Sequence, residues 1–138
     1  MKIFRENIKS GNDKIAKFLG WFTDKDQEGT WFVNDVSACR VAYSEYNNYP
    51  HKGLPFHRDW NMLWEVIAII EDLDPNERVT HTYSIEITGN GTTAYKNLWS
   101  GGDENNRIIH RMNTHNNRLQ NTFLTVVAFI DWYNEKEK

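Results

Sequence analysis

Cysteine, proline and long apolar runs are almost missing from this chain. Of its 138 residues, one is cysteine (Cys39) and three are proline. A single cysteine cannot form a disulfide within the chain, which is typical of a protein from a reducing compartment. No stretch approaches the ~18 apolar residues that a membrane span needs, and the amino-terminal residues lack the apolar centre of a signal peptide. We therefore expect a soluble cytoplasmic protein that does not contact a membrane.

A surplus of basic charge is missing as well. Sixteen lysine and arginine residues stand against 19 aspartate and glutamate residues, which gives a net charge of −3. A general nucleic-acid binder usually carries a basic excess or a basic stripe along one element. The charge balance therefore argues against general nucleic-acid binding.

Aromatic residues, by contrast, are plentiful. The chain has six tryptophans, six tyrosines and seven phenylalanines, and 39% of its residues are hydrophobic. Each buried aromatic ring removes a large apolar area from water, so this content argues against disorder. The length fits one domain. We therefore predict a single domain over residues 1–138.

Helical signals occur at three places. Asn12 and Asp13 are predicted to cap a short helix that Gly20 would end. Asp59 is a plausible N-cap for an apolar run from Trp60 to Leu73, whose apolar residues cover so much of the helix that burial is expected. A third helix is predicted from about 116 to 134 by the helical spacing of its apolar residues.

Between the last two helices the sequence has strand patterns. Residues 79–88 alternate between apolar and polar side chains, which is typical of a strand with one buried face. Gly89-Asn90-Gly91 predicts a tight hairpin turn with a positive φ at Asn-Gly, and residues 92–99 and 107–112 are further strand candidates. Residues 31–33 predict a short extended piece, and residues 34–50 are predicted to be irregular. The fold class is therefore α+β, with an antiparallel sheet of three to four strands packed with helices.

Four segments carry a resemblance to a known family. The chain resembles the phage ABA-sandwich family of small phage and prophage proteins. That resemblance implies helices on both faces of an antiparallel sheet, a helix/sheet/helix sandwich, and a host bacterial cytoplasm as the setting. It implies no reaction, cofactor or catalytic residue. The segments that carry it are IAKFLGW at 15–21, LPFHRDWNMLWEVIAII at 54–70, YSIEI at 83–87 and VVAFIDWYNE at 126–135.

The least regular part of the chain gives the candidate surface. Aromatic side chains in such a segment can line a groove for a ligand or partner, and an aspartate at a helix start with a histidine just before it could add a polar site. The alternative is that the loop packs over the core and the aspartate is only a cap. The candidate ligand or partner surface consists of Tyr43, Tyr46, Tyr49, Phe56, His57 and Asp59.

Residues for catalysis or metal binding do not form a recognisable pattern. A metal site needs three or four converging ligands, and the spacings of His51, His57, His110 and His115 match no compact signature. No nucleophile elbow, phosphate-binding loop or dinucleotide fingerprint is present. We therefore assign no catalytic residue, no metal and no cofactor.

Three functions stay open at this point. The first hypothesis is a non-enzymatic phage or prophage accessory protein that binds a host or phage protein. The alternative is a small-molecule or nucleotide-binding domain with a pocket near residues 40–58. An enzyme ranks third, and the sequence leaves the oligomeric state open.

Overall fold

A computed structural model describes residues 2–23, 26, 29–34, 39–44, 53–73, 81–100, 103–113 and 117–136. The chain divides into two compact units, Met1–Phe56 and His57–Lys138, and the single domain over 1–138 stays a prediction. Both units combine helix with an antiparallel three-stranded sheet, so the predicted α+β class is confirmed. Among the described residues, no helix has the length and apolar character needed to cross a membrane.

The first unit has one helix followed by a small sheet in the order β1-β2-β3. Strand β1 pairs with β2 and β2 pairs with β3, both antiparallel. The rings of Phe22 and Phe32, which are register partners on β1 and β2, have centroids 5.8 Å apart. The elements are α1 (Lys2–Phe18), β1 (Trp21–Thr23), β2 (Thr30–Asn34) and β3 (Cys39–Ser44).

Helix α1 is longer than predicted. Asn12 and Asp13 lie inside it, so the prediction that they cap a short helix is wrong. Asp13 instead pairs with Lys9, one turn earlier, at 3.3 Å. The predicted end is confirmed, because Gly20 has a φ of +84° and donates its N–H to the Lys17 carbonyl. This left-handed glycine ends α1 in the manner common at helix C-termini.

The sheet of the first unit corrects the prediction of an irregular region over 34–50 at residues 34 and 39–44, which lie in strands. The rest of that range, 35–38 and 45–50, lies outside the described residues. The predicted extended piece at 31–33 is confirmed as part of β2, but β3 was missed. Trp31 is the most buried of the described aromatic residues on these strands, with 6% of its surface exposed. Its register partner on β3 is Tyr43, and the pairing shifts by one residue between Trp31 and Phe32.

The second unit follows the predicted order of helix, three-stranded meander and helix. Helix α3 contacts all three strands, while α2 contacts β4 and α3. The rings of Tyr83 on β4 and Phe129 on α3 meet edge to face at 5.2 Å. On the other face of β4, Glu86 and Thr88 are exposed. The elements are α2 (Trp60–Glu71), β4 (His81–Thr88), β5 (Gly91–Ser100), β6 (Asp103–Met112) and α3 (Arg118–Lys136).

Helix α2 is fixed at both ends by carboxylates. Asp59 has an extended backbone and accepts hydrogen bonds from the backbone N–H groups of Asn61 (2.9 Å) and Met62 (3.3 Å), so the predicted N-cap is confirmed. In its last turn, Glu71 accepts a hydrogen bond from the backbone N–H of Ile85 on β4 at 3.3 Å. This bond ties the end of α2 to the sheet.

The β4–β5 hairpin differs from the prediction in one dihedral angle. No described residue other than glycine has a positive φ, so Asn90 does not adopt the predicted conformation. Gly91 does, with a φ of +142°. The Thr88 hydroxyl accepts from the Asn90 N–H and donates to the Gly91 carbonyl, both at 3.1 Å. The turn is therefore closed by a threonine side chain and a single positive-φ glycine.

Candidate functional site

Two of the predicted surface residues serve the first unit. Tyr43 is half-buried, and its hydroxyl donates a hydrogen bond to the Gly53 carbonyl at 2.7 Å. Phe56 is only 1% exposed, and its ring lies 5.6 Å from that of Trp21. Phe56 is therefore a core residue, and its assignment to a ligand or partner surface is corrected.

Two more of the predicted residues belong to the second unit. His57 is half-buried, and its ring meets the edge of Phe123 at 6.0 Å. Asp59 uses one carboxylate oxygen, Oδ1, as the N-cap of α2. Tyr46 and Tyr49 lie outside the described residues. Because the set is divided between two units, a surface shared by its members stays a prediction.

The described part of the chain holds no group of three or more metal-binding side chains. The sequence prediction assigned no metal on the spacing of the histidines. His57 and His110 are the two histidines whose surroundings the structure describes. His57 packs against a phenylalanine ring, and the Nε2 atom of His110 is buried with no hydrogen-bond partner among the described residues.

Two of the four large apolar side chains that are exposed in the described part of the chain lie on the outer side of α2. The sequence predicted a largely buried helix, and four of its residues are indeed in the core: Leu63, Val66, Ile67 and Ile70. Trp64, however, is 52% exposed and Ile69 is 44% exposed. Single exposed apolar residues are common, but here two large ones lie on one twelve-residue helix.

The geometry of α2 explains how these side chains are placed. Trp60 and Trp64 lie one turn apart with their rings stacked at a centroid distance of 5.9 Å, and the exposed Ala68 continues the same line. Ile69 lies five residues after Trp64, about 140° further round the axis at 3.6 residues per turn. The two apolar edges therefore border one exposed arc, which we call the outer face of α2. Its members are Trp60, Asn61, Trp64, Glu65, Ala68 and Ile69.

The charge of this face has one sign. Helix α2 contains Glu65 and Glu71 and no basic residue. Glu65 is exposed and Asp72, the C-cap residue, is exposed as well. The outer face therefore combines a stacked tryptophan pair with an acidic border, and it offers neither a nucleophile nor an acid–base pair for catalysis.

The signal for this face was present in the sequence but pointed two ways. A helix that is apolar all round is usually buried, and the prediction followed that rule. The same pattern also describes a helix that buries one side and exposes the other to solvent.

Comparison of the chain with protein-family models, with curated proteins and with solved structures found no match. The resemblance to the phage ABA-sandwich family therefore stays a prediction.

Proposed function

We propose that this protein is a non-enzymatic protein-interaction module and that it binds its partner through the outer face of α2. The observation that carries the proposal is the exposure of Trp64 and Ile69, at 52% and 44%, on a helix whose opposite side is in the core. Burial of these side chains against a partner would remove apolar area from water, which is the main driving force of association.

The stacked tryptophans suit the centre of an interface. Tryptophan is enriched among the few residues that carry most of the binding energy, because a large ring is ordered at a low entropy cost. Trp60 and Trp64 already contact each other in the unbound chain. Leu63 and Ile67, fully or almost fully buried, hold the helix from behind. The outer face of α2 is therefore preorganised in the unbound protein, which reduces the entropy cost of binding.

The acidic border sets the chemistry of the partner. Complementary charge around an apolar centre speeds encounter and disfavours partners with the wrong charge. Glu65 and Asp72 are exposed beside the apolar residues, and α2 has no cation to neutralise them. We therefore expect a partner that presents an apolar surface bordered by lysine or arginine.

The proposal is tested by capture followed by direct binding. Tagged full-length protein is used to capture partners from a bacterial lysate, and the partner identified by mass spectrometry is purified and titrated by calorimetry. In the variant Trp64→Ser/Ile69→Ser, loss of the tryptophan anchor should weaken binding about thirtyfold or more, which corresponds to about 2 kcal/mol.

A matched control removes exposed apolar area elsewhere. Val41, on β3, is 59% exposed, so Val41→Ser removes a smaller exposed apolar side chain outside α2. This control should bind as the unchanged protein does. Equal binding by the α2 variant and the unchanged protein would contradict the proposal. Glu65→Lys should lower the association rate constant. Added salt should reduce the difference in this rate constant between the variant and the unchanged protein.

The biological setting and the partner's origin extend this proposal. The resemblance of four segments to a phage family supports a phage or prophage accessory protein with a host or phage partner. The alternative, a small-molecule or nucleotide site near residues 40–58, would be favoured if the purified protein carried a stoichiometric metabolite and captured no protein.

A further inference from the structure

A groove of about 360 Å³ lies between β5, β6 and the last part of α3. Its volume falls in the lower part of the range of small-molecule sites, about 300–1,000 Å³. It belongs entirely to the second unit and shares no residue with the outer face of α2. The described residues that line it are Lys96, Arg107, Ile108, Ile109, Trp132 and Lys136.

The groove concentrates positive charge in an acidic protein. Three of the described lining residues are cations, and none is a carboxylate, although the chain has a net charge of −3. Lys96 and Arg107 are register partners on neighbouring strands. Like charges at directly opposed positions of a sheet destabilise it. An anion bound in the groove would therefore meet cations from both strands.

A bulge in β6 creates this arrangement. His110 pairs with Ala94 on β5, but Ile108 pairs with the next residue, Tyr95, so Ile109 is an extra residue in β6. Side chains alternate between faces along a strand, and one extra residue reverses that alternation. Without the bulge, Arg107 would lie on the opposite face from His110. The bulge places Arg107 on the same face of the sheet as His110 and Lys96. Bulges often redirect a side chain beside a functional site.

Trp132 supplies a flat apolar wall. The indole is half-buried, with the rings of Tyr83 and Phe129 each at 6.0 Å. The ammonium of Lys96 lies 5.8 Å from the centroid of the indole. These contacts fix the tryptophan, so the half-buried indole, with the Lys96 ammonium over its ring, is a rigid surface in the groove. A rigid indole is a good platform for stacking a flat ring.

We propose that this groove binds a small phosphate monoester that carries a flat ring, the chemistry of a mononucleotide. A phosphate monoester carries about −1.5 to −2 charges at neutral pH, which suits a groove with three cations better than a single carboxylate does. Arg107 can donate two parallel hydrogen bonds to phosphate oxygens, with Lys96 and Lys136 as point charges. The ring stacks against Trp132. This inference is independent of the proposed partner surface on α2.

Calorimetric titration of the full chain with AMP, adenosine and inorganic phosphate tests the proposal. AMP should bind more tightly than either fragment by about tenfold or more, because it uses both the cations and the indole. Arg107→Gln should weaken AMP binding about tenfold or more, because a charge-assisted pair of hydrogen bonds is lost. Arg111→Gln, the same change on the same strand but opposite Thr93, should bind as the unchanged protein does.

Nuclear magnetic resonance locates the ligand. Trp132→Phe keeps an apolar ring at this position and identifies the indole N–H signal of Trp132 by its disappearance. AMP should shift that signal in the unchanged protein. The proposal is overturned if AMP, GMP, CMP and UMP all fail to bind saturably, or if Arg107→Gln and Arg111→Gln bind them equally. Tighter binding of an acidic peptide or a single-stranded oligonucleotide than of any mononucleotide would also overturn it.

Discussion

The hydroxyl of Thr92 on β5 and the hydroxyl of Thr122 on α3 are hydrogen-bonded at 3.0 Å, and both side chains are fully buried. The Thr122 hydroxyl also donates to the Arg118 carbonyl at 2.7 Å. A hydroxyl has one hydrogen to donate, so Thr92 is the donor in the pair and Thr122 the acceptor. The direction of this buried bond between helix and sheet is thereby fixed.

Because Thr92 donates and Thr122 accepts, replacing the two threonines should cost different amounts of unfolding free energy. Thr122→Val leaves the Thr92 hydroxyl as a buried donor without its acceptor, which should cost about 1–3 kcal/mol of unfolding free energy. Thr92→Val leaves Thr122 still donating to the Arg118 carbonyl and should cost less, about 1 kcal/mol or below. Urea unfolding of both variants measures the difference, and equal costs would contradict the assigned direction.

The double variant Thr92→Val/Thr122→Val measures the coupling between the two hydroxyls. Replacing both threonines by valine removes donor and acceptor together, which can be nearly neutral for a buried pair. We expect the double variant to be more stable than the sum of the two single changes predicts, by about 0.5–3 kcal/mol of coupling. Simple additivity would show that the two hydroxyls do not interact.

The carboxylate of Asp59 should matter more than that of Asp72. Asp59 accepts two backbone N–H groups at the start of α2, so Asp59→Ala should cost about 1 kcal/mol and Asp59→Asn much less. Asp72 lies at the other end, where a negative charge is unfavourable to the helix dipole. Asp72→Ala should therefore leave stability unchanged or raise it by a few tenths of a kcal/mol, roughly. Thermal unfolding of the three variants checks the order.

Two glycines of one hairpin should respond differently to alanine. At Gly91, a Cβ would lie 2.7 Å from the Met112 carbonyl oxygen, and the φ is +142°. Gly91→Ala should cost about 1–3 kcal/mol or more. At Gly89, which has no positive φ, the nearest atom is the flexible end of Arg118 at 3.3 Å. Gly89→Ala should therefore cost little, and equal losses on urea unfolding would argue against this turn geometry.

Phe129 should be the most sensitive ring in the second unit. It is fully buried, with Tyr83, Trp132 and Tyr133 around it at ring distances of 5.2 to 6.0 Å. Phe129→Ala removes a large apolar side chain and leaves a cavity, so it should cost about 3–5 kcal/mol. Ile108→Ala, at a residue 59% exposed, should change stability by less than about 0.5 kcal/mol. Comparable losses would show that the ring cluster does not carry the core.

Sequence patterns were sufficient where one signal dominated. The alternation that ends at Thr88 predicted β4, and apolar spacing predicted α3, which begins after Asn117 with that side chain accepting from the Gln120 N–H at 3.2 Å. Asp59 was found because capping uses a local hydrogen bond, and local chemistry can be read from neighbouring residues. These elements give the order of the second unit.

The first unit was less predictable because its local signals conflict with its structure. Gly11, Asn12 and Asp13 all have low helix propensity, yet α1 continues through them. Fully buried Ile15 and Ala16 stabilise the helix beyond that point by packing, and packing commonly overrides propensity. Strand β1 has three residues, too few for a clear alternation. Strand β3 has six, but its apolar residue Val41 is 59% exposed, so its pattern does not mark a buried face.

Neither proposed site could be read from the sequence. Whether Trp64 is buried or exposed depends on which side of α2 meets the rest of the unit, and a helix apolar on both sides does not specify that. The bulge at Ile109 pairs Arg107 with Lys96 through a register shift that has no glycine to mark it. Both sites depend on contacts between residues that are distant along the chain.

The hydrogen bond from the Ile85 N–H to the Glu71 carboxylate hinders aggregation through the edge of the sheet. Strand β4 is at an edge of its sheet, and free N–H groups along an edge are where a strand of another molecule can add and begin aggregation. Glu71 accepts a hydrogen bond from one of these N–H groups and places a negative charge at the edge. An incoming strand would have to displace that carboxylate, so the end of α2 protects the β4 edge of the sheet against growth into larger assemblies.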